Sequence, residues 1–248
     1  RQTKARGEAL LIVFGAYLFA SVVVAAVNPT VIDAGLVTPG GTNAYLTQFA
    51  LQYGGFLLVT GWYVLAVRDE PLIPWAPPGR REIGLIIAGI VVLVGANNGI
   101  TRLFAAVDVA IGDNAAVTVG IGEPGYLLTM VAFSLLVVGP AEELLFRGVV
   151  QSRLRETWGV WPAILVATVL FGLSHASVSG GLGGVVAYML TATLLGFLLG
   201  YLYERTDNIV VPSVINGLNN AVLFAVLYSG ELGSAFDVSL DVSGHERA

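Results

Sequence analysis

The chain has 248 residues, with 12 Lys and Arg against 17 Asp and Glu, a formal net charge of −5. Apolar side chains make up 56% of it and charged ones only 12%, about half the usual ~25%. A soluble domain of this size cannot cover so much apolar surface, so disorder, a soluble globular enzyme and, for want of a basic face, a nucleic-acid binder are excluded. The expected fold is all-α: a polytopic helical bundle in the lipid bilayer, one transmembrane domain over residues 1–248. The lack of Cys removes disulfides, thiolate nucleophiles and Cys-ligated metals.

A helix needs about 20 mostly apolar residues to cross a hydrocarbon core of roughly 30 Å. About seven stretches qualify, seven to eight in all, and an eighth span would flip the tail to the other side. The first is Ala9–Val27. It follows Arg1, Lys4 and Arg6 as a signal peptide would, but its apolar run is too long, and a retained anchor is expected. Ala44–Val67 and Ile83–Phe104 follow, separated by a proline-rich loop, Pro71–Pro78. Tyr126–Phe146 is the fourth, extended as one helix to about Arg155, and a turn at Trp158-Gly159 sends Trp161–His175 back antiparallel. A glycine-rich segment, Ser177–Gly184, leads to Gly184–Tyr203, and Ile209–Tyr228 is the last. Residues 229–248 form a short acidic tail. These runs are too long and alternate too little for barrel strands.

Placing the N-terminus in the cytoplasm puts Arg1, Lys4, Arg6, Arg68, Arg80, Arg81, Arg147, Arg153, Arg155 and Arg205 on the cytoplasmic side, ten of the twelve cations. Only Arg102 and Arg247 fall on the other side, as the positive-inside rule requires of a multi-pass protein of the cell membrane. Trp62, Trp75, Trp158 and Trp161 fall at the same cytoplasmic interface.

An ionisable residue inside a span is costly and marks a functional site by default. Three groups stand out. In Glu142-Glu143-Leu144-Leu145-Phe146-Arg147 the acid Glu143 precedes Arg147 by four, the favourable order for a helical ion pair. Glu142 points about 100° away and is left without that partner. A carboxylate in a low-dielectric pocket suits general acid or base work; a surface charge pair at a helix end is the bland alternative. The second group is His175, with Phe171 one turn earlier on its face. Folding about the turn brings Glu142 and Glu143 opposite Ser174 and His175, about 15 residues or ~23 Å from the turn. The third is Asn216 and Asn220, four apart on the last helix, able to donate to an oxyanion or to bond between helices. For Asn97, Asn98 and Asn219 the interhelical role is preferred, and Gly196 and Gly200 read as close helix packing. His245 is assigned no role.

Glu142-Glu143-x-x-x-Arg147, then Phe171-x-x-x-His175, then a four-spaced polar pair after Val211-Pro212, resembles the CAAX protease and bacteriocin-processing (Abi) family, which includes the type II CAAX prenyl endopeptidases. The resemblance covers a protease-like core of about 126–228. It implies a multi-span intramembrane endopeptidase, often described as a metalloprotease, that cleaves a peptide or lipidated protein substrate, with no nucleic acid involved. It implies that Glu142 activates water with His175, that Asn220 completes the catalytic set, that Glu143 and Arg147 organise the site and that Phe171 shapes it. The family's third motif is His-x-x-x-Asn; Asn220 matches its Asn, and Asn216 replaces its His. A divalent metal such as zinc would find a single His here, where zinc sites usually want three protein ligands, so no cofactor is expected. The departure at Asn216 leaves two rivals open: a weak or inactive member serving immunity or partner binding, and a proton-coupled transporter relaying protons through a Glu–His pair.

Overall fold

The computed structural model describes residues 2–67, 73–176, 178–179 and 181–245, with side chains described outside 2–6, 8–9, 67 and 231–245. Of the features expected above, Arg1, Arg68, Pro71, Ser177, Gly180 and Arg247 lie outside the described residues, as do the side chains of Lys4, Arg6 and His245.

Every long element is helical, because only a helix satisfies its own backbone groups in lipid. The order is α1 (Gln2–Asp33), α2 (Thr42–Trp62, with one further wide turn, Tyr63–Val67), α3 (Arg80–Ala105), a short α4 (Ala115–Thr118), α5 (Pro124–Trp158), α6 (Val160–Leu173), α7 (Leu182–Thr206) and α8 (Val210–His245). Among the described residues six helices are long and apolar enough to cross a membrane. The seventh apolar helix, α6, has 14 residues, about 21 Å at 1.5 Å per residue, and falls short of the core thickness. Among the described residues the apolar helices are thus six of full length and one shorter, α6. Their outer faces carry exposed apolar side chains such as Leu11, Leu18, Leu65, Val91, Leu136 and Leu194, which suits lipid as solvent.

The turn between α5 and α6 falls at Gly159, whose φ of 80° is a conformation that glycine adopts without a Cβ clash. α6 then runs back against α5, with Phe146 edge-on to Phe171 at 5.1 Å between ring centroids. One helical turn beyond that contact lie Glu142 and His175, the register that folding about the turn predicts.

α5 is wound wide, in π-helical turns, at Ser134–Val138 and at Leu144–Gln151, on either side of an α-helical Gly139–Glu143. Pro140 has no N–H to give the preceding turn, and a wide turn there re-satisfies the backbone. Such bulges gather at functional sites. α5 and α8 meet backbone to backbone. A Cβ on Gly139 would lie 2.5 Å from the Ser213 carbonyl oxygen, and one on Gly217 would lie 2.9 Å from Leu135 Cα. That crossing sets Asn216 beside the two glutamates.

α7 is parallel to the second half of α5 and is stitched to it every four residues. The Arg147 guanidinium donates to the Gly196 carbonyl at 2.8 Å, the Gln151 amide to the Gly200 carbonyl at 3.0 Å, and Arg155 to Glu204 at 3.0 Å. Gly196 and Gly200 are thus more than close packing: without side chains they expose carbonyl oxygens, each with a spare lone pair, to long polar groups.

At the end where α5 turns into α6, Asn208 caps α8 by accepting from the Val210 N–H and clasps the loop at Ala76 in both directions, at 3.2 Å and 3.0 Å. Trp62, Trp75 and Trp161 are exposed at this end. At the other end Asp113 pairs with Ser179, and the Gly112 N–H donates to the Gly184 carbonyl.

Candidate functional site

The two glutamates are neighbours in sequence and opposites in environment. Glu143 is sealed, with a side-chain exposure of 0%, and its Oε1 accepts from Arg147 Nη1 at 2.9 Å. Arg147 is equally sealed, and its guanidinium lies over the Phe171 ring at 4.6 Å. This corrects the topological tally: Arg147 is not an interfacial cation but an internal one, and it drops out of the charge count.

Glu142 is not left without partners, as helical projection alone predicts. The Tyr53 hydroxyl donates to its Oε1 at 3.1 Å and the Asn216 amide to its Oε2 at 3.0 Å. The same amide nitrogen donates to Glu143 Oε1 at 3.1 Å. Asn216 therefore straddles two adjacent carboxylates, one hydrogen for each, and reaches both because it sits directly across the Gly139–Gly217 crossing.

His175 closes the other side. Its Nδ1 lies 2.7 Å from the Phe171 carbonyl oxygen. A carbonyl can only accept, so Nδ1 donates, and in the neutral ring Nε2 keeps its lone pair. The imidazole leans on the Phe171 ring at 4.6 Å and faces Tyr188 at 6.0 Å. Tyr188 is held by Asn114, whose amide donates to its hydroxyl at 2.9 Å.

Two cavities meet at this point. The larger, about 470 Å³, is lined by Glu142, His175, Tyr17, Tyr53, Gln48 and Tyr188 among others. The smaller, about 130 Å³, is lined by Glu142, Phe171, His175, Asn216, Asn219 and Asn220 among others. Glu142 and His175 belong to the wall of both. Asn220 lies on the small cavity, and no hydrogen bond ties its amide to another described residue. Asn97 and Asn219 line the same chamber, whereas Asn98 bonds back to the Val94 carbonyl in its own helix. Tyr53 and Tyr188 escaped the sequence reading. A tyrosine in mid-span, with a hydroxyl that cannot stay unpaired in lipid, was the available signal.

Among the described residues no three His, Cys, Asp or Glu side chains gather as a metal site would need. Glu143 is taken up by Arg147, which leaves a carboxylate and an imidazole, short of the three protein ligands of a catalytic zinc. The donor set does not fit such an ion.

The segment that carries these residues, 124–222, matches the family described as Rce1-like, type II CAAX prenyl endopeptidase. Two relatives from Bacillus subtilis (strain 168) are similar to it. One is named "Putative membrane peptidase YdiL" and is 35% identical over 77 residues, 31% of this chain and 28% of the relative. The other is named "Uncharacterized protein YpbD" and is 34% identical over 92 residues, 37% of this chain and 42% of the relative. The matches thus span less than half the length of either relative. No solved structure matches the chain.

Proposed function

We propose that the protein is an intramembrane endopeptidase in which Glu142 activates a water molecule. The observation that carries this reading is the shared wall. An acid and an imidazole with a free nitrogen face one chamber, while the neighbouring acid is sealed against an arginine.

Glu142 takes a proton from water as the oxygen attacks the carbonyl carbon of the scissile peptide. The oxyanion that forms is met by the Asn220 amide, whose hydrogens are uncommitted. The C–N bond then breaks, and the proton held by Glu142 passes to the departing amine. His175 Nε2 hydrogen-bonds the same water and orients it, with its ring fixed by the Nδ1 bond to the Phe171 carbonyl. Asn216 positions the carboxylates, and Phe171, Arg147 and Glu143 hold the scaffold of the site. The substrate is a segment of a membrane-associated protein, and the enzyme lies in the cell membrane with its N-terminus in the cytoplasm.

The test is hydrolysis of internally quenched peptides by the purified protein in nanodiscs. Glu142→Gln should lower turnover by about 10³ or more and Asn220→Ala by about 10², the worth of one oxyanion donor. Wild-type rates from both Glu142→Gln and His175→Ala would end the proposal. Asn216 in place of the family's His favours a second reading, a binding or immunity protein that keeps the fold without the chemistry. Under that reading the wild type hydrolyses nothing and Asn216→His gains activity.

A further inference from the structure

A third pocket lies apart from the chambers at Glu142, between the start of α3 and the end of α7. Its volume is about 270 Å³, and Arg80, Arg81, Glu82, Leu85 and Arg205 are among the residues that line it. None of these lines either chamber at Glu142. All three arginines are exposed, and among the described residues none of them is in an ion pair. The nearby acids are engaged elsewhere. Glu82 accepts from the Gly79 N–H at 2.7 Å and from the Asn208 amide at 3.1 Å. Glu204 takes Arg155 at 3.0 Å, and Asp207 lies 3.9 Å from the same guanidinium. Even with Glu82 counted as a full negative charge, positive charge prevails in the pocket. Since Glu82 already takes the Gly79 N–H, the site rests on the guanidinium groups and not on the helix end.

The position of the pocket fits the headgroup level of a bilayer. Arg205 lies over the Tyr201 ring at 5.7 Å, and Tyr201 stacks on Trp161 at 6.2 Å. Asn208, which donates to Glu82, also clasps Ala76, the neighbour of the exposed Trp75. Tryptophan and tyrosine gather at membrane–water interfaces. From there both helices run into the apolar core. The exposed Ile83, Ile87 and Val91 follow Arg80 inward along α3 at three- and four-residue steps. The exposed Phe197, Leu194 and Leu190 follow Tyr201 and Arg205 inward along α7 in the same way. Cationic ends above lipid-facing apolar stripes match a molecule with an anionic head and hydrocarbon chains.

We propose that this pocket binds the phosphate group of an anionic glycerophospholipid. An arginine fork meets a phosphate through two N–H bonds at once, and basic pockets between membrane helices suit phosphate headgroups. A zwitterionic lipid carries the same phosphate, but its quaternary ammonium would be brought beside three guanidinium groups, so the pocket selects a head without a cation. Free phosphate shares the head chemistry and leaves the apolar stripes unused; the lipid engages both. With the N-terminus in the cytoplasm, the pocket faces the inner leaflet. The proposal does not rest on the hydrolase reading.

The test is native mass spectrometry of the full chain released from mixed micelles that contain phosphatidylglycerol and phosphatidylcholine in equal amounts. The wild type should retain phosphatidylglycerol at least tenfold over phosphatidylcholine. An interfacial arginine is worth about fivefold in affinity for anionic lipid. Arg205→Gln alone should therefore lower retention of phosphatidylglycerol about fivefold, and Arg80→Gln/Arg81→Gln/Arg205→Gln about a hundredfold. Arg102→Gln, at the far end of α3 and also exposed, should leave it unchanged. Because the three arginines are exposed, the triple variant should unfold at the wild-type midpoint. Equal retention of the two lipids by the wild type, or wild-type retention by the triple variant, overturns the site. A second arm adds inorganic phosphate at millimolar concentration, which should leave the lipid bound. Displacement of the lipid by inorganic phosphate overturns the assignment to a lipid and makes the pocket a site for free phosphate.

Discussion

Replacing Arg147 by methionine keeps most of the stem and removes the charge. In the native protein the guanidinium is sealed, donates to Glu143 at 2.9 Å and to the Gly196 carbonyl at 2.8 Å, and lies over Phe171 at 4.6 Å. Its loss leaves Glu143 buried with the Asn216 amide as its one remaining described hydrogen-bond partner. Breaking a buried pair from one side costs about 3–5 kcal/mol, whereas an exposed pair is worth about 0–1 kcal/mol. The companion Glu143→Gln/Arg147→Met removes both charges, and the uncompensated ion with them. The double variant should be no more than about 2 kcal/mol less stable than wild type. Chemical unfolding in mixed micelles, followed by tryptophan fluorescence, gives the four corners of the cycle. A single-variant cost below about 1 kcal/mol, or a double variant that loses the sum of the two singles, would refute the reasoning. Both would mean that the pair is solvated. Turnover should fall in the single and the double variant alike, because Phe171 and through it His175 lose the guanidinium that positions them.

Gly217→Ala should cost about 1–3 kcal/mol by overpacking, since the new methyl meets the α5 backbone; it should also depress turnover by pulling Asn216 off the carboxylates, and stability with activity in one preparation checks both. Tyr53→Phe removes one of the two hydrogen bonds to Glu142 and should lower turnover about tenfold, equivalent to ~1.4 kcal/mol, with the fold intact by circular dichroism. Asn208→Ala strips a cap and a clasp from the end remote from the site, so the unfolding free energy should drop by about 1–2 kcal/mol with unchanged turnover.

What the sequence could announce was local. Runs of apolar residues marked the helices, Trp158-Gly159 marked the turn, and the four-residue step from Glu143 to Arg147 marked their ion pair. Each of these follows from spacing within one element. The partners of Glu142 come from residues 89 and 74 positions away, Tyr53 and Asn216, and helical projection holds no information about a facing helix. Arg147 was misplaced for a related reason: hydropathy counts a charge without knowing whether a glycine carbonyl and an acid await it. Gly196 and Gly200 read as packing residues because carbonyl acceptance leaves no mark on residue type. The wide turns around Gly139–Glu143 are likewise invisible in periodicity, although Pro140 marks the place of the first.

The residue at 216 is then best understood through charge. Within this part of the bundle the Glu142 and Glu143 carboxyl groups, the Arg147 guanidinium and the His175 imidazole, which donates from Nδ1 to the Phe171 carbonyl, gather around residue 216. A histidine at 216 could donate to both carboxylates only as a cation, with a proton on each nitrogen. Asparagine supplies two hydrogens with no charge and no titration, so both bonds persist at every pH at which the carboxylates are ionised. In the proposed mechanism the proton goes from water to Glu142 and from Glu142 to the leaving nitrogen, a cycle that closes on one carboxylate. Residue 216 need only hold that carboxylate in place, and an amide does so without competing for the proton.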